Sequence, residues 1–240
     1  MTTPSARNVL ITGASSGIGA ALAKQFGKNG DRVFALARTL GSMEDLRPFF
    51  QSPETHFFPY QCDLQQTTQV IKVASAILKN HGWVDILIHN AGVTYFKDFL
   101  DTSLEEYDHV FNTNLRAVFV LTQAILPAMI ERKAGTIVNI ASYAAKAVYA
   151  KSSVYTASKI AMEGMMNVLR SEVRGKGIHI TNVFPGAVLT SIWHPKHQER
   201  FGHQMLMPDH VANIVFEITC QPPSVMAEEI TIRPQGGDLS

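Results

Sequence analysis

The sequence predicts a doubly wound α/β fold, in which one parallel sheet carries helices on both faces. Seven short β-rich runs alternate with segments of helical periodicity. Most of those runs are apolar throughout instead of at every second residue, the pattern of strands covered on both sides. The chain of 240 residues, 46% hydrophobic, suffices for a substantial core, and residues 1–240 are expected to form a single domain.

In chain order the expected strands are 9–12 (VLIT), 32–37 (RVFALA), 55–60 (THFFPY), 85–89 (DILIH), 136–141 (TIVNIA), 178–184 (IHITNVF) and 229–232 (EITI). Ile18, Ala21, Leu22 and Phe26 recur with helical spacing after the first strand, as do Val70, Val73, Ala74 and Ile77 after the third. Residues 105–132 read as a fifth helix. Its greasiest part, 117–130, is shorter than the roughly 20 residues that span a bilayer and is broken by Thr122, Gln123 and Pro127, which suits a buried or interface helix. A further helix carries SSVYTASKIAMEGMM, residues 152–166. The longest irregular stretch, 186–208, is too long for a plain connection in a compact domain and is expected to be a substrate-binding lid.

Composition narrows the function. The 21 basic and 20 acidic side chains nearly cancel and form no run of like charge, so neither nucleic acid nor a membrane surface is an expected partner and a small molecule is. Cys62 and Cys220 have no metal-ligand spacing and suit a reducing compartment as buried thiols. His194 and His197 lack further ligands at metal-site spacing, so no metal is expected. The first apolar run begins at Val9, which leaves no room for a signal-type leader and makes a cytoplasmic location the expectation.

The first strand runs into TGASSGIG, Thr12 to Gly19, and a helical pattern follows at once. A glycine turn so placed lets backbone approach a pyrophosphate and exposes a helix N-terminus to it, so Gly13, Ser15, Ser16, Gly17, Ile18 and Gly19 are expected to bind a dinucleotide. An acid at the end of the second strand would accept the ribose hydroxyls of NAD. Here the segment reads ALART: Ala37 replaces the acid and Arg38 follows, with Thr39 beside it, which predicts a phosphate contact and NADP(H) as cofactor.

Tyr155 and Lys159 stand at i and i+4 and so share one helix face. A phenol can exchange protons with a carbonyl oxygen, but its ordinary pKa near 10 is high for reversible work at neutral pH. Lowering it to about 7 takes roughly 4 kcal/mol. An ammonium about 4 Å away supplies on the order of 4 kcal/mol at an effective dielectric near 20. The expectation is an acidified Tyr155.

The G-x-x-x-G-x-G spacing together with Tyr-x-x-x-Lys makes the chain resemble the short-chain dehydrogenase/reductase family, whose fold is of the Rossmann type, over nearly its whole length. Further matches come in order: Asp63 and Leu64 after the third strand, HNAG (His89, Asn90, Ala91, Gly92) after the fourth, Asn114, Ser142, and Pro185–Gly186 followed by Val188 and Thr190. His89 and Ala117 depart from the common pattern, which more often has asparagine and glycine there. The resemblance implies that Ser142 binds the substrate oxygen, that Asn114 holds a water-linked path to Lys159, and that Lys159 also contacts the nicotinamide ribose. It implies that Asp63, Leu64, Asn90, Ala91, Gly92, Pro185, Gly186, Val188 and Thr190 line the cofactor. A homodimer or homotetramer built on a helix pair that includes 105–132 is implied as well.

FNTNL, PGAVLTSIW and EEITIRPQGGDL are similar to a narrower subgroup, the bacterial sepiapterin reductases. That resemblance implies reduction of a pterin side-chain ketone with the ring in an apolar slot, for which Trp193 is the first stacking candidate; the ring's N–H donors call for a carboxylate, with Asp238 one candidate and Asp98 and Asp101 no better placed, and Tyr149 and Ser142 are further substrate candidates. Reduction of another ketone, such as a 3-oxoacyl thioester or a sugar, stays open, as does a non-catalytic NADP(H)-binding regulator.

Overall fold

The computed structural model describes residues 6–239. The seven strands are β1 (Asn8–Thr12), β2 (Arg32–Ala37), β3 (Phe57–Gln61), β4 (Ile86–His89), β5 (Gly135–Ile140), β6 (Ile178–Pro185) and β7 (Glu229–Ile232). They form one sheet in the order β3-β2-β1-β4-β5-β6-β7, and every pairing is parallel. The expected doubly wound, Rossmann-type fold is therefore present. The third strand starts later than its sequence suggested, because Pro53–His56 forms a short helix, α2, with proline at its start.

Alternate strand residues feed two cores. On one face Val9, Ile11, Val33 and Ala35 pack with Leu22 and Phe26 of α1 (Gly17–Lys28) and Val211 and Val215 of α8 (Pro208–Thr219). On the other, Leu10, Phe34 and Leu87 meet α3 (Thr67–His81), α5 (Ala117–Arg132) and α6 (Ser153–Val173). Leu121 and Ile125 of α5 are fully buried there, each stabilising the fold by about 1.5–3 kcal/mol. Met162 and Met166 of α6 are core residues too, whereas Val168 is exposed. Cys62 is buried as expected, but Cys220 is not: it follows α8 at the surface beside Arg7.

The expected fifth helix is not uniform. A helix α4 (Leu104–Phe111), opened by a Ser103/Glu106 capping box, passes into a π-helical segment at Asn112–Arg116 before α5. Strand order reverses between β1 and β4, so their C-terminal ends bracket the crevice where this topology places ligands.

Candidate active site

Gly13 and Gly17 both have positive φ, +67° and +52°, and carry the chain from β1 into α1. A Cβ at Gly19 would lie 2.1 Å from the Gly13 carbonyl oxygen, so only glycine lets the helix begin so close to the turn. Asn90, expected to touch the cofactor, braces this turn: its Nδ2 donates to the carbonyls of Thr12 and Gly13, and its N–H donates to Thr12 Oγ1. A Cβ at Gly17 would stand 2.9 Å from Thr190 Cγ2, so the segment after β6 arches over the turn. Ser16 makes no side-chain cap and the first turn of α1 holds no acid, which leaves the leading N–H groups for an anion.

The remaining dinucleotide candidates spread along the same edge of the sheet. Arg38 and Thr39 are exposed just beyond β2, and the Arg38 carbonyl accepts from Gln61 Nε2. Asp63 and Leu64 follow β3, half-buried, with Asp63 Oδ1 accepting from the Gln65 N–H. Gly186 is tied to β7 by its N–H, which donates to the Ile232 carbonyl at 2.7 Å, and Val188 is buried. Ala91 and Gly92 lie between the glycine turn and the catalytic candidates. A Cβ on Gly92 would stand 3.4 Å from Lys159 Nζ and 3.6 Å from Asn114 Oδ1, so bare backbone keeps the space beside the lysine open. An uncapped helix N-terminus, a cradle of glycines and an exposed guanidinium at the end of β2 fit a phosphorylated dinucleotide.

Ser142, Tyr155 and Lys159 converge although they come from different elements. Ser142 follows β5, and its Oγ accepts from the Ala144 N–H at 3.1 Å, which leaves the hydroxyl proton free to point elsewhere. The Tyr155 hydroxyl hydrogen-bonds the Ser142 side chain. Lys159, only 3% exposed, donates from Nζ to the Ile140 carbonyl at 2.8 Å and lies 5.7 Å from the Tyr155 ring centroid. Burial weakens its ammonium to a pKa of about 8.

The expected acidification of Tyr155 is not found. Burial raises the phenol above its ordinary value, opposed by the Ser142 hydrogen bond. The ammonium faces the ring and directs its hydrogen bond at Ile140, so in the resting protein Tyr155 is a neutral acid.

Asn114 sits in the π-helical segment and is completely buried. Its Oδ1 accepts from the Val93 N–H at 2.9 Å, and its Nδ2 donates to the Val93 carbonyl at 2.9 Å and to Ser158 Oγ at 3.0 Å. Both side-chain donors are thus committed to fixing the loop after β4 against α6. Beside them His89 is buried and neutral, held to Thr122 at 2.8 Å, its pKa pushed down to about 3 by burial and by Lys159.

The region expected as a lid, 186–208, holds helix α7 (Pro195–Phe201), and its two ends are joined where Leu206 pairs with Val188. Trp193 does stack, but on Phe96: the centroids are 5.4 Å apart and the planes 13° from parallel. Asp238 is held by Tyr149, whose hydroxyl donates to Oδ1 at 2.5 Å, and by Arg233 at 2.9 Å. Burial and that carboxylate push the Tyr149 phenol up to about 12, and the same hydrogen bond keeps Asp238 below the usual carboxylate range. Beside Asp238 opens a cleft of about 470 Å³, walled by Met205, Leu206 and Pro234. Neither Phe96 nor Arg233 was identifiable from spacing, because their partners lie far away in the chain.

Comparison with known proteins decides the family. Residues 7–200 match the family model for short chain dehydrogenases. The chain belongs to the short-chain dehydrogenase family. As a short-chain dehydrogenase it is an oxidoreductase. It is 33% identical over 238 residues to a sepiapterin reductase of Chlorobaculum tepidum, covering 96% of this chain and 97% of that one. It is 35% identical over 245 residues to the Bos taurus dehydrogenase/reductase SDR family member 11, covering 95% and 96%. Among solved structures, a metagenomic short-chain oxidoreductase in complex with NADP superposes with a TM-score of 0.85 at 30% identity, covering 98% of this chain and 99% of that one.

Proposed function

We propose that this short-chain dehydrogenase reduces the ketone of a small, flat heterocycle of the pterin type, using NADPH. The observation that carries the reading is the convergence of Ser142, Tyr155 and Lys159 beside the open backbone of Gly92. NADPH is supported by Arg38 in place of an acid after β2 and by the NADP held in the similar metagenomic structure. Gly13 to Gly19, with Thr190 above them, would hold the pyrophosphate; Arg38 and Thr39 would hold the additional phosphate.

When bound, NADPH supplies the hydride that goes to the carbonyl carbon. Ser142 donates a hydrogen bond to the carbonyl oxygen and fixes its position. Tyr155, kept neutral by burial, gives its proton to that oxygen as charge develops, so the product is the alcohol. Lys159 stabilises the phenolate left behind until a proton from solvent restores it.

The pterin reading rests on the likeness to the Chlorobaculum tepidum enzyme and on two features of the structure. Asp238 stays ionised and so can accept N–H donors. The Trp193–Phe96 pair offers flat aromatic surface at the lid. The lid and a self-contacting face of α4, α5 and α6 complete the proposal, the latter assembling a homodimer or homotetramer through exposed Leu104, Phe119, Ile160 and Val168.

The test is NADPH absorbance in the presence of sepiapterin, a 3-oxoacyl thioester or a ketose. Fastest oxidation with sepiapterin supports the pterin reading. Preference for another ketone leaves a reductase of a different substrate, and no oxidation with any carbonyl points to a nucleotide-binding regulator.

A further inference from the structure

Residues 93–98, which follow β4, engage several separate parts of the molecule. Val93 commits both backbone groups to the Asn114 amide. The Tyr95 hydroxyl meets His109 Nδ1 on α4 at 2.6 Å. Phe96 stacks on Trp193 of the lid. Lys97 pairs with Glu106, and its N–H donates to the Lys151 carbonyl at 3.0 Å. The segment therefore touches the lid at Phe96 and the π-helical segment at Val93, with anchors between and beyond them.

Each end of this chain of contacts leads on. Trp193 donates from Nε1 to the Val188 carbonyl and accepts at its own carbonyl from Gln198 of α7, so its ring reports the seating of the lid. Asn114 donates to Ser158, the neighbour of Lys159 in α6. We infer that loop 93–98 links the lid to the proton-transfer residues, with Phe96 as a positioning residue that orders Asn114 and Lys159 when Trp193 is seated. Only Thr94 and Tyr95 separate Phe96 from Val93, and Tyr95 is pinned to α4, so the ring has little freedom to shift without disturbing the Asn114 clamp. The lysine is then fully ordered only while the lid is closed, which ties readiness for proton transfer to retention of substrate.

This rests on the carbonyl-reductase reading, but its first test does not need turnover. Hydrogen exchange would be followed at single amides in the cofactor-free full chain for the wild type, Trp193→Ala, Phe96→Ala and Phe96→Tyr. Loss of one stacked pair is expected to speed exchange of the Val93 amide roughly two- to tenfold in both alanine variants, and Phe96→Tyr should restore protection. Wild-type exchange at Val93, with faster exchange confined to the lid or to the substituted residue's neighbours, overturns the link. Phe96 is 45% exposed, so its removal should spare the fold, and Trp193→Ala tests the same link from the other side. In turnover, the double variant Phe96→Ala/Trp193→Ala should have a kcat no lower than the worse single variant, and a multiplicative loss contradicts action through one contact.

Discussion

Burial weakens the Lys159 ammonium, so its charge is present below about pH 8 and lost above it. That charge faces the Tyr155 ring, 5.7 Å from its centroid, where it favours the phenolate left once the proton has been given up. Ketone reduction should therefore slow as pH rises through about 8, measured as kcat under saturating NADPH; a kcat that stays level to pH 10 would remove Lys159 from the chemistry. Arg38→Ala should weaken NADPH roughly ten- to hundredfold while leaving NADH nearly unchanged, read by titrating cofactor fluorescence; equal losses for both would reject the phosphate contact. Tyr155 and Lys159 were legible in the sequence because a helix puts i and i+4 on one face. The direction of the tyrosine's shift was not, since it depends on burial and on Ser142 and Ile140, which only folding brings near.

At the level of elements, the glycine turn and the π-helical segment place the site. Gly19→Ala would drive a Cβ into the Gly13 backbone, which cannot yield as a side chain can; a cost of about 1–3 kcal/mol and a matching loss of NADPH affinity are expected, from thermal unfolding and cofactor titration. Unchanged stability and affinity would mean that the turn relaxes freely. The strands were readable from apolar runs, and the glycine turn from its position between a strand and a helix. The π-helical segment was not, because Asn112–Arg116 carries no breaker residue. It coincides with the clamp on Val93, a contact between distant parts of the chain.

At the scale of the molecule, apolar surface remains uncovered on α5 and α6, at Phe119, Ile160 and Val168. Val168 is 62% exposed on α6, the helix that carries Tyr155 and Lys159. If two copies meet there, Val168→Lys should raise the dissociation constant at least about tenfold, seen by sedimentation, without unfolding the subunit; an unaltered assembly would place the contact elsewhere. The Phe96–Trp193 stack and the Tyr149–Asp238–Arg233 cluster also belong to this scale, joining segments far apart in sequence. No local periodicity announces them, so the sequence pointed to Trp193 and Asp238 without their protein partners. The most direct test of Tyr155 as proton donor is NADPH oxidation by Tyr155→Phe with the best ketone substrate. Turnover should drop by about 10²–10⁴-fold while NADPH binds as tightly as before; wild-type turnover in that variant would contradict the mechanism.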